Sequence, residues 1–188
     1  PPGGGAAPPG PPPPAAPRTA ANAFHGPHQL YADEPEQAFM ASAVTVTPTL
    51  EGTSLRAPLR NESGHAMPTG FPGRVVFARA TGYDAEGRVV WRSFESDPMA
   101  EDPDAVFGKV YVDAQGEPAL PPYAASIARD SRLDPGETWE LRWTVPEAVT
   151  RAELVLLFRL LPPPAARQLG LDESPLAGAR PFLTVTVP

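Results

Sequence analysis

The octet Thr138-Trp139-Glu140-Leu141-Arg142-Trp143-Thr144-Val145 carries the clearest structural signal in this sequence. Large apolar residues alternate in it with polar ones, and this period of two is typical of a β-strand with one buried and one solvated face. The side chains predicted on the core side are those of Trp139, Leu141, Trp143 and Val145. Such a strand needs another layer to cover its apolar face, so this octet points to a layered β fold.

Further strand patterns lie on both sides of the octet. Residues 154–161 are apolar on both faces except at Arg159, which predicts a central strand covered on both sides. Residues 74–83 and 87–94 flank Asp84-Ala85-Glu86-Gly87, a composition typical of a hairpin turn. The other candidate strands are 44–46, 55–59, 106–112, 124–128 and 182–187. Pro58 predicts that the strand at 55–59 lies at a sheet edge or a bulge, because proline lacks a backbone donor.

About eight or nine short strands separated by turn-forming residues predict an all-β, immunoglobulin-like antiparallel β-sandwich. We expect three parts: an extended arm rich in Pro, Gly and Ala at 1–30, a short helix and connector at 31–41, and the sandwich at 42–188. Asp33, Pro35 and Glu36 have the spacing of a capped helix start. The predicted core consists of Trp139, Leu141, Trp143, Leu154, Leu156, Phe158, Val75 and Phe77.

The composition excludes several classes of protein. The 188 residues suit one domain, and 28 prolines disfavour a mostly helical fold. A net charge of −7 argues against nucleic-acid binding through a basic surface. With no cysteine, the sequence has neither thiolate metal sites nor a C-x-x-C-H motif for covalent haem, so we expect no cofactor of its own. It has no run of about 18 apolar residues, and we expect no transmembrane segment.

Residues 1–17 contain only Pro, Gly and Ala and cannot bury enough apolar surface to fold alone. They are either a flexible spacer or a stiff polyproline arm that lies along a partner, in which case Pro11, Pro12, Pro13 and Pro14 contact that partner. We expect residues 1–30 to lie against another chain. The first residue is Pro rather than Met, and we expect a processed or truncated product, either of an exported protein whose leader has been removed or of a longer polypeptide.

Residues that could carry chemistry are few. The sequence lacks the common hydrolase, nucleotide-binding and zinc-protease motifs, and we therefore predict a protein that is not an enzyme. His25 and His28 could share a metal only if their loop curls, and packing or surface roles are the alternative. The acidic residues Asp97, Glu101, Asp102 and Asp104 could bind Ca²⁺ or form a solvated loop. Asn61-Glu62-Ser63 matches the N-glycosylation pattern, which also arises by chance.

The stretch Gly64-His65-Ala66-Met67-Pro68-Thr69-Gly70-Phe71-Pro72-Gly73-Arg74 resembles the G-H-x-x-P-T-G-x-P-x-R segment of a known family. That family is the haem-free β domain found C-terminal to the haem-bearing part of some bacterial multihaem c-type cytochromes. Residues 132–137, Arg-Leu-Asp-Pro-Gly-Glu, are similar to its R-L-x-P-G-E turn, and residues 84–91 to its hairpin. Phe24-His25-Gly26-Pro27-His28 is a looser match to the region that joins the two parts.

The resemblance implies an accessory subunit in the periplasm or on the extracellular face of a bacterial membrane. It would dock on a multihaem cytochrome or a larger electron-transfer complex, such as a photosynthetic reaction centre, through His65, Pro68 and Phe71. One alternative is a C-terminal fragment of a cytochrome in which His65, His25 or His28 gives an axial imidazole to a haem held by a partner chain. Another is a carbohydrate- or surface-binding module. For His65 we expect a structural role in the loop.

Overall fold

A computed structural model describes residues 35–70 and 73–188 of the chain. The predicted arm with Pro11, Pro12, Pro13 and Pro14, the histidines His25 and His28, and Phe71 lie outside the described residues. The ten strands are β1 (Val44–Val46), β2 (Thr49–Glu51), β3 (Ser54–Asn61), β4 (Val75–Tyr83), β5 (Val89–Arg92), β6 (Val106–Val112), β7 (Ser126–Asp130), β8 (Thr138–Thr144), β9 (Arg151–Arg159) and β10 (Arg180–Val187). The helices are α1 (Pro35–Ala41), α2 (Pro98–Glu101) and α3 (Pro163–Gln168), and short 3₁₀ turns occur at Pro103–Ala105, Pro121–Tyr123 and Pro175–Ala177.

The strands form two antiparallel sheets, which confirms the predicted all-β sandwich. In the smaller sheet, β3 pairs with β8 on one side and with β1 and β2 on the other. In the larger sheet the order is β10, β9, β4, β6 and β7, and β5 pairs with the far end of β4. None of the helices in the described residues has both the length and the hydropathy needed to span a bilayer.

The main core lies between the two sheets. Leu55 and Leu59 from β3 and Leu141 from β8 meet Leu156 and Phe158 from β9 in one buried cluster. Alternate residues of β4 and β9 face the other way and form a second cluster, whose buried members are Phe77, Phe94, Val106, Val155 and Leu157. The strand β9 is therefore covered on both faces, as its continuous apolar sequence predicts.

Two core predictions need correction. Trp139 is 41% exposed, although it lies on the same side of β8 as the buried Leu141. It sits near the start of β8, which is an edge strand, and its indole N–H donates to the carbonyl oxygen of Asp104 at 3.1 Å. Val75 is only half-buried and packs at the margin of the second cluster.

Trp143 keeps the predicted register of β8. It is half-buried and packs against the main core, and its indole N–H donates to Oδ2 of Asp102 at 2.7 Å. Burial raises the pKa of Asp102 above its usual value, although the bond from Trp143 opposes this shift. The loop that enters β6 is thus attached to the outer strand of the smaller sheet.

The expectation for Pro58 is wrong, because β3 is the central strand of its sheet. The carbonyl of Pro58 accepts from Thr47 N at 3.3 Å. The N–H that Pro58 lacks would point to the same side of β3, toward the segment that contains Thr47. The neighbouring strand is interrupted there between β1 and β2, at Thr47 and Pro48. A proline is tolerated in this central strand because the ladder beside it is already broken.

The predicted hairpin is confirmed in β4 and β5. In the turn of this hairpin, Oδ1 of Asp84 accepts from the backbone N–H of Glu86 at 3.1 Å and of Arg88 at 2.8 Å. Gly87 has a φ of +79°, which favours glycine. Since β4 runs from Val75 to Tyr83, this turn lies at the opposite end of the strand from residues 61–74.

Candidate functional site

Two segments far apart in the sequence meet at the end of the sandwich where β3 ends and β8 begins. Asn61, the last residue of β3, is fully buried there. Its Nδ2 lies 2.8 Å from the carbonyl oxygen of His65, 3.0 Å from that of Leu133 and 3.1 Å from that of Asp134. One side chain therefore joins the segment that contains His65 to the turn at 132–137.

Backbone bonds strengthen the same junction. Met67 and Leu133 exchange two hydrogen bonds, with N–O distances of 2.8 and 3.0 Å, and both side chains are buried in the main core. The backbone N–H of Asn61 donates to the carbonyl of Glu137, and its carbonyl accepts from Gly136, both at 2.9 Å. We call residues 61–70 together with 132–137 the loop unit. Both family-like motifs contribute to it.

Arg74 closes the first segment of the loop unit onto the start of β4. Its Nη1 donates to the carbonyl of Thr69 at 2.9 Å, and burial lowers the pKa of its guanidinium below the usual value. Gly70 has a φ of +84°, and a Cβ at this position would collide with the Arg74 guanidinium. The turn therefore favours glycine for its positive φ, and a side chain at this position would displace the Arg74 guanidinium.

The predicted site residues in the loop unit, His65 and Pro68, differ in how far their side chains are buried. Pro68 is buried beneath the loop, whereas His65 is exposed at its surface. The carbonyl of His65 accepts from Asn61 and from Ser63 Oγ, and its ring Nδ1 lies 3.2 Å from Ser63 Oγ. The backbone of His65 thus takes part in holding the loop, while its ring is accessible from outside.

Asn61 is the residue that sequence reasoning missed. It was considered only as part of a glycosylation pattern, but its Nδ2 is buried against three carbonyl oxygens, so a glycan has no access to that nitrogen. The available signal was its position just upstream of the family-like motif at 64–74, separated from it by Glu62 and Ser63. Its distant partners Leu133 and Asp134 belong to the second motif, and no local pattern indicates that pairing.

The acidic residues near α2 act separately rather than as a cation site. Glu101 accepts from the backbone N–H groups of Glu95, Ser96 and Asp97 at 2.8 to 3.0 Å, and Asp97 Oδ1 caps Met99 N at 3.0 Å. Asp102 binds Trp143 instead. Within residues 35–70 and 73–188, no group of three or more His, Cys, Asp or Glu could hold a metal ion.

The bonds to Glu101 predict a pH effect on stability. Backbone donors at Glu95, Asp97 and Ser96 lower the pKa of Glu101 from an ordinary 4.5 to about 2. A carboxyl with a lowered folded-state pKa contributes stability above its unfolded pKa and loses that contribution as the pH falls. We expect the free energy of unfolding to decline between about pH 4.5 and 2, and Glu101→Gln to remove part of this decline in urea titrations. Glu140→Gln, on the exposed face of β8, is the control, and an equal effect there would contradict the assignment.

A separate cavity of about 320 Å³ opens on the outer side of the larger sheet. The residues that line it include Tyr111, Leu120, Pro162–Pro164, Asp97 and Lys109. Of the candidate site residues singled out from the sequence, Asp97 lines this cavity, whereas His65 and Pro68 do not.

No protein-family model matches the chain, and the comparison with curated proteins also gives no match. Among solved structures there is a match. The chain is similar to part of a penta-heme cytochrome c552 from Thermochromatium tepidum. The two share 30% sequence identity, and their folds superpose with a TM-score of 0.71.

The likeness covers 81% of this chain and 41% of the cytochrome chain. The chain thus spans about two fifths of the length of the cytochrome it matches. Because the identity reaches 30%, the likeness lies in sequence as well as in fold. The cytochrome is a multihaem protein by its description, and the present chain has no cysteine for covalent attachment of haem.

Proposed function

We propose that this chain is a non-enzymatic accessory module that docks on a multihaem c-type cytochrome, or on a larger electron-transfer complex such as a photosynthetic reaction centre, and stabilises it. The partner supplies the haem. The observation that carries this proposal is the loop unit, in which both family-like motifs are joined by Asn61 at one end of the sandwich. The likeness to part of a penta-heme cytochrome supports the choice of partner.

The loop unit suits docking because its shape is set before a partner arrives. Its segments are held by buried hydrogen bonds of Asn61 and by the Met67–Leu133 pair. Binding by such a preordered surface avoids the entropic cost of ordering a loop. Gly64 and His65 are exposed on this surface, while the buried Pro68 supports it from below.

Helix α1 lies near the same end of the sandwich. Gln37 Nε2 donates to the carbonyl of Pro181 at the start of β10, and Glu62 N donates to the carbonyl of Ala43, just after the helix. The Pro-rich segment precedes α1 in the sequence. We therefore propose that Pro11–Pro14 and the loop unit contact the same partner, in the periplasm or on the extracellular face of a bacterial membrane.

In a second candidate function, the same surface makes contacts within a single polypeptide. The 41% coverage of the cytochrome suits a module that follows a haem-bearing part in a longer chain. The loop unit would then pack against that part, and His65 would face it.

A matched pair of charge variants tests the docking surface. We expect the tagged full chain to co-purify from its native source with a c-type cytochrome, which is detected by its Soret absorbance. The affinity of each variant for that cytochrome is then measured. His65→Glu should weaken binding by about tenfold or more, because it places a carboxylate in the interface. Ala85→Glu puts the same charge on the exposed turn at the opposite end of β4 and should leave binding unchanged. A parent chain without haem absorbance in any fraction, or equal effects of both variants, would contradict the proposal.

A further inference from the structure

We propose that the cavity on the outer side of the larger sheet binds the Pro-rich segment at residues 8–14 of the same chain, in the polyproline conformation. We call this surface the proline groove and define it by the lining residues Tyr111, Leu120, Pro121 and Pro162–Pro164. The inference goes beyond the docking proposal, because it concerns a contact within this chain and holds without any partner.

The lining of the proline groove has the chemistry that a polyproline helix requires. Grooves that recognise Pro-rich segments present flat aromatic and apolar side chains, as Tyr111, Leu120 and the lining prolines do here. A proline residue has no N–H, so a Pro-rich segment offers carbonyl acceptors and needs donors from its site. The lining supplies such donors from the side chains of Lys109, Tyr111, Arg167 and Gln168.

The charges around the cavity largely cancel. Lys109 Nζ lies 3.4 Å from Oδ2 of Asp130, and its ammonium keeps further protons for donation. The other charged lining residues are Arg167 and Asp97, which are opposite in sign. A lining of this kind suits an uncharged ligand, and residues 8–14, Pro-Pro-Gly-Pro-Pro-Pro-Pro, have no charged side chain.

Apolar surface continues from the cavity along β7. Seven residues of polyproline helix are about 22 Å long and need an elongated surface. Tyr111 pairs with Ile127 across β6 and β7, and directly opposed residues point to the same face. Ile127 is 49% exposed, and Tyr123, two residues after the lining residue Pro121, is 76% exposed. Exposed apolar groups grouped around a cavity are typical of an interaction surface.

The connection to the rest of the chain is long enough for this contact. Residues 15–34 join the segment to Pro35, where α1 begins. These 20 residues can span roughly 70 Å when extended, whereas a domain of about 150 residues is roughly 40 Å across. Such a tether gives an effective concentration on the order of millimolar, so even weak binding is occupied. This advantage favours the chain's own segment over a second copy or a foreign peptide.

The proline groove lies beside the loop unit. The cavity is lined by Gly73, next to Arg74, and by Gly108, whose carbonyl accepts from Ser131 N at 2.9 Å. Ser131 directly precedes Arg132, the first residue of the second segment of the loop unit. A polyproline helix has three residues per turn, so one edge enters the groove and the other edges stay outside. Those outer prolines are then available to the same partner as the loop unit.

A spin label tests the contact on the full chain without a partner. The sequence has no cysteine, so Ala15→Cys gives a single position for a nitroxide directly after the segment. The ¹⁵N-amide signals of Tyr111, Leu120 and Arg167 should lose most of their intensity relative to the chemically reduced label. The signal of Ala85, in the turn at the opposite end of β4, should be retained. Unchanged intensities at all of these positions would overturn the inference.

A matched pair of substitutions tests the groove itself. In the labelled chain, Leu120→Glu places a carboxylate in the apolar lining and should restore the signals of Tyr111 and Arg167. Leu176→Glu makes the same change at a 40% exposed residue outside the lining and should leave the loss of intensity unchanged. Equal results for the two variants would contradict the assignment. Replacing Pro11–Pro14 by serine leaves the sandwich untouched and should also restore the signals.

A mixed sample identifies the occupant. It contains ¹⁵N-labelled chain without the nitroxide and unlabelled chain that carries it. A loss at Leu120 as large as in the singly labelled chain would identify a second copy as the occupant and overturn the contact within one chain. Full intensity in the mixture supports that contact. Because no cytochrome is present, a negative result leaves the docking proposal intact, and failed co-purification with a cytochrome leaves the proline groove intact.

Discussion

Replacing Asn61 by Asp should lower the free energy of unfolding by roughly 3 to 5 kcal/mol, because it leaves several buried polar groups without a partner. The substitution keeps the size of the side chain but replaces the donor Nδ2 by an oxygen. That oxygen would face the carbonyl oxygens of His65, Leu133 and Asp134. Asn61 is 0% exposed, so water cannot satisfy these groups without opening the loop unit. Urea unfolding followed by Trp fluorescence measures the change.

The neighbouring exposed residue provides the control for Asn61. Glu62→Gln should change stability by no more than about 0.5 kcal/mol, as is usual for a surface position. Its ion pair with Arg60 joins two exposed or half-exposed side chains. If Asn61→Asp were as mild as Glu62→Gln, the junction of the two motifs would not depend on the Asn61 amide.

Replacing Phe158 by Ala should cost about 3 to 5 kcal/mol, the range for emptying a large aromatic site in a packed core. Phe158 is 1% exposed in the main core, and its strand β9 lies between β4 and β10. Because β9 is paired on both sides, the backbone around Phe158 is held in place and relaxes only partly into the space. Thermal and urea unfolding of the variant measure the loss.

Trp139→Ala is the comparison for Phe158→Ala. The ring of Trp139 is partly solvated, so its removal loses less buried area and one hydrogen bond to Asp104. We expect a loss of about 1 kcal/mol. A larger loss at Trp139 than at Phe158 would contradict the core described above.

Patterns confined to single strands were predictable from the sequence. The alternation in β8 identified its core side, the apolar run of β9 identified a strand covered on both faces, and Asp84 to Gly87 identified the hairpin turn. Each of these signals depends on the period of the backbone or on the chemistry of neighbouring residues. Those interactions are local, and a short stretch of sequence contains all of their partners.

The depth of burial along a strand was not predictable in the same way. Trp139 and Leu141 share a side of β8, and the packing of segments distant in sequence leaves the first exposed and the second buried. Pro58 could be placed in the central strand β3 because a different segment, at Thr47 and Pro48, interrupts the adjacent ladder. Both outcomes depend on neighbours that are distant in sequence.

The sequence by itself determined the all-β class and the register of β8, and it singled out the segments at 64–74 and 132–137. Only the tertiary structure decided that these motifs form one loop unit and that Asn61 joins them. The physical reason is that Asn61 satisfies carbonyl groups of residues 72 and 73 positions away, at Leu133 and Asp134. A hydrogen bond of that span leaves no periodic trace in the sequence, because it exists only after β3 and β8 have paired.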